Sequence, residues 1–120
     1  MKRDTSAELS AAAQAYLEAH SAEKFSLEKM ANALFVNGSY LTRAFKRHTG
    51  MTPLSYHHRM RCEKAKELLA SSTLTVSQVG ESVGYVSSSH FAHVFRKFEN
   101  CSPSEYQMQI RPETEEGTDR

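Results

Sequence analysis

Two short stripes of side chains carry the chemistry of this sequence. Ser39, Thr42, Arg43 and Lys46 stand at i, i+3, i+4 and i+7, so a helix would present them on one side. A guanidinium can donate two hydrogen bonds to guanine O6 and N7, a threonine offers a hydroxyl and a methyl, and a serine is short. That set suits the edges of bases in a DNA major groove. Ser89, Ala92, His93 and Arg96 repeat the spacing, with Ser88 at the helix start. Arg47 and Lys97 fall at the edges of the two stripes, where phosphates would lie.

The two stripes belong to an internal repeat. Leu41-Thr42-Arg43-Ala44-Phe45-Lys46-Arg47 overlies Phe91-Ala92-His93-Val94-Phe95-Arg96-Lys97 at an offset of 50 positions. The same offset carries Ser39 onto Ser89, Thr52-Pro53 onto Ser102-Pro103, and Tyr56 onto Tyr106. Upstream, Met30-Ala31 matches Val79-Gly80 at 49, so the second copy has one extra residue in its turn. Two copies are too few for a solenoid, which needs roughly three or more to bury a core. They suggest two small modules doing one job at two places.

The elements that must hold these stripes are helices. Glu8 to His20 is Ala-rich, with Leu9, Ala12, Ala13, Tyr16 and Leu17 as its apolar stripe. Ser26 caps a helix whose buried face is Leu27, Met30, Ala31 and Leu34, and Phe35-Val36-Asn37-Gly38 is a turn. The next helix runs from about Ser39 to Thr49 and stops at Gly50. Its core side is Leu41, Ala44, Phe45 and His48. Thr52 caps a long helix with Pro53 at its first position, where a missing N–H costs nothing. No breaker appears before Ser71-Ser72-Thr73, which allows roughly 27 Å of helix. Ala65, Leu68 and Leu69 anchor its apolar side.

Thr75 caps Val76 to Val83, and Gly84-Tyr85-Val86 turns into Ser88 to about Glu99, with Phe91, Val94, Phe95 and Phe98 inward. Ser102-Pro103 starts a last helix ending near Ile110. Each repeat is thus helix, short turn, helix, with a small residue, Ala31 or Gly80, near the crossing. No strand signal competes. The expected fold is all-α, with about seven helices in two helix-turn-helix subdomains joined by a long linker helix. The expected organisation is an N-terminal segment and helix over 1–24, a first unit over 25–51, a linker over 52–72, and a second unit with closing helix over 73–111. The polar, acidic, aperiodic stretch 112–120 reads as a disordered tail.

Charge is distributed to match. The chain of 120 residues has a formal net charge of only +1. Between Phe25 and Arg111, however, eleven basic residues face six acidic ones, a net of +5, while the flanks are acidic. No apolar run approaches a membrane span, and the polar N-terminus lacks a signal region. Cys62 and Cys101 have neither CxxC nor metal-ligand spacing, as suits reduced thiols in a cytoplasmic protein. His57 and His58 are adjacent and point to different faces, and His90 and His93 lack an HExxH frame, so neither pair reads as a metal site. No cofactor motif and no catalytic constellation is visible, so an enzyme is not expected.

From Ser26 to Gln107 the chain resembles the AraC/XylS-type bacterial transcription regulators, whose DNA-binding domain carries two helix-turn-helix units. The residues that carry the resemblance are Val76-Ser77-Gln78-Val79-Gly80, Gly84-Tyr85, Ser87, Phe91 to Lys97 and Ser102-Pro103-Ser104-Glu105-Tyr106, with Tyr56, Arg61, Ala65, Leu68 and Leu69 in the linker. Departures are Gly80 where alanine is usual, and His57 and Cys62 where leucine is usual; they are expected to loosen helix packing locally. The resemblance implies that both second helices enter successive major-groove segments of a double-stranded DNA operator. It puts Ser39, Thr42 and Arg43 on bases in one segment and Ser88, Ser89, His90 and His93 on bases in the other. Asn37, Lys46, Arg47, Arg96 and Lys97 are then the expected phosphate contacts. It further implies transcription regulation, as an activator, with RNA polymerase as a second partner. Two recognition helices in one chain, with different exposed residues, point to a chain that binds as a monomer.

Two other classes compete with this reading. A helical module that docks on RNA polymerase without reading DNA would show no steep salt dependence on duplex DNA. A repair protein using the same binding domain would need a catalytic segment beyond these residues.

Overall fold

Side chains decide where the helices start. The computed structural model describes residues 5–110, and within them the chain forms α1 (Thr5–Ala19), α2 (Leu27–Ala33), α3 (Gly38–Thr49), α4 (Pro53–Ser71), α5 (Val76–Ser82), α6 (Ser88–Glu99) and α7 (Pro103–Ile110). Ser26 Oγ accepts the Lys29 N–H at 3.1 Å, Thr52 Oγ1 the Ser55 N–H at 3.2 Å, and Ser102 Oγ the Glu105 N–H at 3.1 Å. Thr75 and Gln78 close a reciprocal capping box. The all-helical class and the seven helices follow the expectation. The expected tail over 112–120 lies outside the described residues.

The chain divides into two compact units, with the division inside α4 between Met60 and Arg61. Unit 1 packs Ala13 and Leu17 of α1, Met30 and Ala31 of α2, and Leu41 and Phe45 of α3 into one core. Tyr56, at the start of α4, stacks edge-on to Phe45 with ring centres 5.3 Å apart and donates its hydroxyl to Gln14 Oε1. Unit 2 packs Cys62, Ala65 and Leu69 of α4 against Val79, Val83, Tyr85, Phe91, Val94 and Phe95. Tyr106 of α7 stacks edge-on to Phe95 at 5.7 Å. Such aromatic pairs contribute about 0.5–1.5 kcal/mol beyond burial.

The matched cores extend the repeat upstream of the helix-turn-helix units. Ser10, Ala13 and Leu17 of α1 correspond, 52 positions on, to Cys62, Ala65 and Leu69 of α4, and all six are buried. α1 is therefore to unit 1 what the second half of α4 is to unit 2, and the start of α4 is to unit 1 what α7 is to unit 2. The extra residue of the second copy is also located. The turn bonds Val36 N–H to Ala31 and Tyr85 N–H to Gly80 match at an offset of 49. The caps Asn37 and Ser87 match at 50. Val86 is the insertion, and it is fully exposed.

Five sequence expectations need correction. α1 begins at Thr5 rather than Glu8, and Ala12 is exposed rather than part of its buried stripe. His48 is exposed, not in the core: it lies past the last core turn of α3, where its Nε2 pairs with Ser6 Oγ at 2.9 Å. α3 is capped by Asn37 and starts at Gly38, one residue before Ser39. Gly80 does not loosen the packing, because the space a methyl would fill is taken by Phe91. His57 and Cys62 are likewise buried.

Candidate nucleic-acid interface

In unit 1 the core contacts of α3 decide what faces outward. Leu41, Ala44 and Phe45 are buried, which turns Ser39, Arg43, Lys46 and Arg47 to the surface and leaves Thr42 half-buried. Ser39, Thr42 and Arg43 come together with Leu27 and Gly38 around one open depression. Gly38 keeps it open: a Cβ there would stand 3.1 Å from a Leu27 methyl. Asn37 spends its side-chain oxygen on the cap, accepting the Tyr40 N–H at 2.8 Å. Its side-chain NH2 is therefore the group that can donate to an anion. Lys46, Arg47 and His48 occupy the last turn, where cations also complement the helix dipole, and Gly50 closes the helix with φ 78°.

Unit 2 repeats the arrangement on α6. Phe91, Val94 and Phe95 are buried, each phenylalanine contributing on the order of 2 kcal/mol by its burial. Ser88, Ser89, His90, His93, Arg96 and Lys97 are exposed, and Ala92 is half-buried. Ser87 Oγ caps the helix at the His90 N–H, at 3.0 Å. Asn100 in the left-handed region ends it. Both outward faces thus keep serine in the first turn and cations in the last.

Three residues around α6 were not singled out as functional by sequence reasoning. Glu105 accepts the Ser102 N–H at 2.8 Å and pairs with Arg96 Nη1 at 3.5 Å. The Ser102 N–H, with Arg96 nearby, holds the Glu105 carboxyl below the usual carboxylate range. Ser-x-x-Glu is a legible capping box, so this one had a signal. Arg61 and Tyr85 are among the residues that carry the family resemblance, but nothing in the sequence joins them to each other. The Arg61 guanidinium lies over the Tyr85 ring, 4.7 Å from its centre. Burial pushes the Tyr85 phenol up to about 12, the neighbouring Cys62 adding to that rise and Arg61 opposing it. Among the described residues no three His, Cys, Asp or Glu side chains converge as a metal site would need, and no helix is long and apolar enough to cross a membrane.

The fold and the paired outward helices define a helix-turn-helix protein, and comparison with known proteins bears on which kind. A family model described as "Helix-turn-helix domain" matches residues 30–109. The HTH-type transcriptional activator RhaS of Escherichia fergusonii is 40% identical over 91 residues, 76% of this chain and 33% of its own length. Among solved structures, an AraC-type transcriptional regulator from Chromobacterium violaceum superposes with a TM-score of 0.82 at 28% identity, covering 90% of this chain and 96% of that one. The DNA-binding domain of AdpA, solved in complex with a target DNA, gives 0.74 at 28% identity, covering 92% and 96%. The chain belongs to the AraC/XylS family of transcription regulators and carries its DNA-binding domain. It spans about a third of the length of the RhaS relative it matches.

Proposed function

We propose that this chain binds a double-stranded DNA operator sequence-specifically, with α3 and α6 entering successive major-groove segments. Ser39, Thr42 and Arg43 meet base edges in one segment, and Ser88, Ser89, His90 and His93 in the other. Asn37, Lys46, Arg47, Arg96 and Lys97 hold phosphates. The observation that supports this reading is the duplicated outward face. In both units a side-chain cap, a serine in the first turn and a cationic last turn stand opposite a buried apolar face. Phosphate contacts would set register and base contacts specificity.

The chain acts as a monomer on an asymmetric site, because both recognition helices lie in one chain and differ in their exposed residues. Activation is the role that the name of the RhaS relative supports, and RNA polymerase is the partner proposed for it. Selection of bound sequences from a random duplex library tests the reading. It should return two unlike half-sites about one helical turn, 10–10.5 bp, apart. Recovery of a strict palindrome occupied only by two copies of the chain would refute it.

A further inference from the structure

Unit 2 buries a charge that unit 1 does without. Arg61 is 6% exposed, with its guanidinium over the face of Tyr85. Tyr85 in turn meets the His90 ring edge-on, at 5.1 Å and 82°. The corresponding positions of unit 1 are Leu9 and Val36, offset by 52 and 49, and both pack against the apolar core. Aliphatic side chains therefore close the same part of the fold. A buried guanidinium carries a desolvation penalty that apolar packing avoids, so core closure does not explain Arg61.

The outward neighbour is what differs. Position 40 is a half-buried tyrosine, whereas its counterpart, position 90, is an exposed histidine in the first turn of α6. An exposed imidazole samples several rotamers, and ordering it on binding weakens the contact it then makes. A ring standing against it narrows that choice. The Arg61 cation over the face of that ring holds the ring in turn.

We propose that Arg61 and Tyr85 are positioning residues that hold the His90 ring in the orientation in which it meets a base edge. The proposal rests on the reading of α6 as a recognition helix. It makes base recognition by unit 2 dependent on a side chain of α4 that touches no DNA.

The test replaces the pair with its unit 1 counterpart, in R61L/Y85V, and compares it with H90A and with the triple variant. Binding is measured on cognate duplex, on scrambled duplex, and on duplexes altered at single base pairs. The double variant should remain helical and bind scrambled duplex like the parent, while preference at the base pair under His90 falls roughly tenfold. H90A alone should lower the same preference, and adding it to the double variant should lower it no further. Additive losses, or an unchanged preference in R61L/Y85V where H90A does lose it, would overturn the positioning role while leaving His90 as a reader. An unchanged preference in H90A would instead remove His90 from recognition, and the proposal with it. If the double variant fails to fold, R61M keeps the aliphatic stem and the Tyr85 ring. Loss confined to the His90 base pair supports the proposal, and loss spread over both half-sites overturns it.

Discussion

A Cβ built on Gly80 would stand 2.6 Å from Cδ2 of Phe91 and 2.8 Å from its Cγ. The matching pair in unit 1 is Ala31 with Leu41, both buried. The two units share one crossing and divide its volume differently, a methyl against leucine in one and no side chain against phenylalanine in the other. Gly80→Ala should therefore destabilise by about 1–3 kcal/mol, although alanine is the better helix former by about 1 kcal/mol. Phe91→Leu in the same chain should recover much of that loss. Urea unfolding of the two single variants and the double variant measures the coupling. Simple additivity would mean that the clash is relieved elsewhere.

Phe35 sits at the turn of unit 1 with φ 62°, where unit 2 has Gly84 at φ 113°. Its ring is 93% exposed and packs on nothing that would repay the conformation. A left-handed L residue costs roughly 1–2 kcal/mol, set against the greater freedom of glycine in the unfolded chain. Phe35→Gly should raise the unfolding midpoint, a net gain of about 0.5–1 kcal/mol. A lower midpoint would show that the phenylalanine ring contributes to folding.

The cap of α7 should depend on pH. Glu105 has a depressed carboxyl pKa in the fold, so its contribution is present above the ordinary glutamate range. It is lost as pH falls through the depressed folded value, because protonation removes the charge that accepts the Ser102 N–H and pairs with Arg96. Glu105→Gln should flatten this part of the acid-side loss of stability, read by thermal unfolding at a series of pH values. An unchanged pH profile would show the carboxylate to be idle.

How much was legible depends on how far each signal reaches. Ser26, Thr52, Thr75 and Ser102 announce helix starts because a cap is a bond over three residues. Asn37 was missed as the cap of α3 because Ser39, two residues on, is an equally good candidate by type. Periodicity gave the side of α3 on which His48 lies, but not where the core ends along the helix axis. The kinship of α1 with the second half of α4 was hidden by the connection after α1, which shifts the offset from 52 to 49. Its evidence is a shared burial pattern, with identity only at Ala13/Ala65 and Leu17/Leu69. The outward residues of α3 and α6 could be named from sequence because burial of one face decides the other. The stack of Arg61 on Tyr85 could not, since it joins residues 24 positions apart through the fold.

The central claim is that the outward face of α3 reads bases while its last turn holds phosphates, and Arg43→Ala set against Lys46→Ala tests it most directly. Both variants are titrated onto cognate and scrambled duplexes at several salt concentrations. Arg43→Ala should weaken cognate binding by roughly 1–3 kcal/mol and leave scrambled binding nearly as it was. Lys46→Ala should weaken both duplexes alike and lower the salt slope by about one. Equal loss on both duplexes for Arg43→Ala would make Arg43 a phosphate contact and contradict this orientation of the first recognition helix.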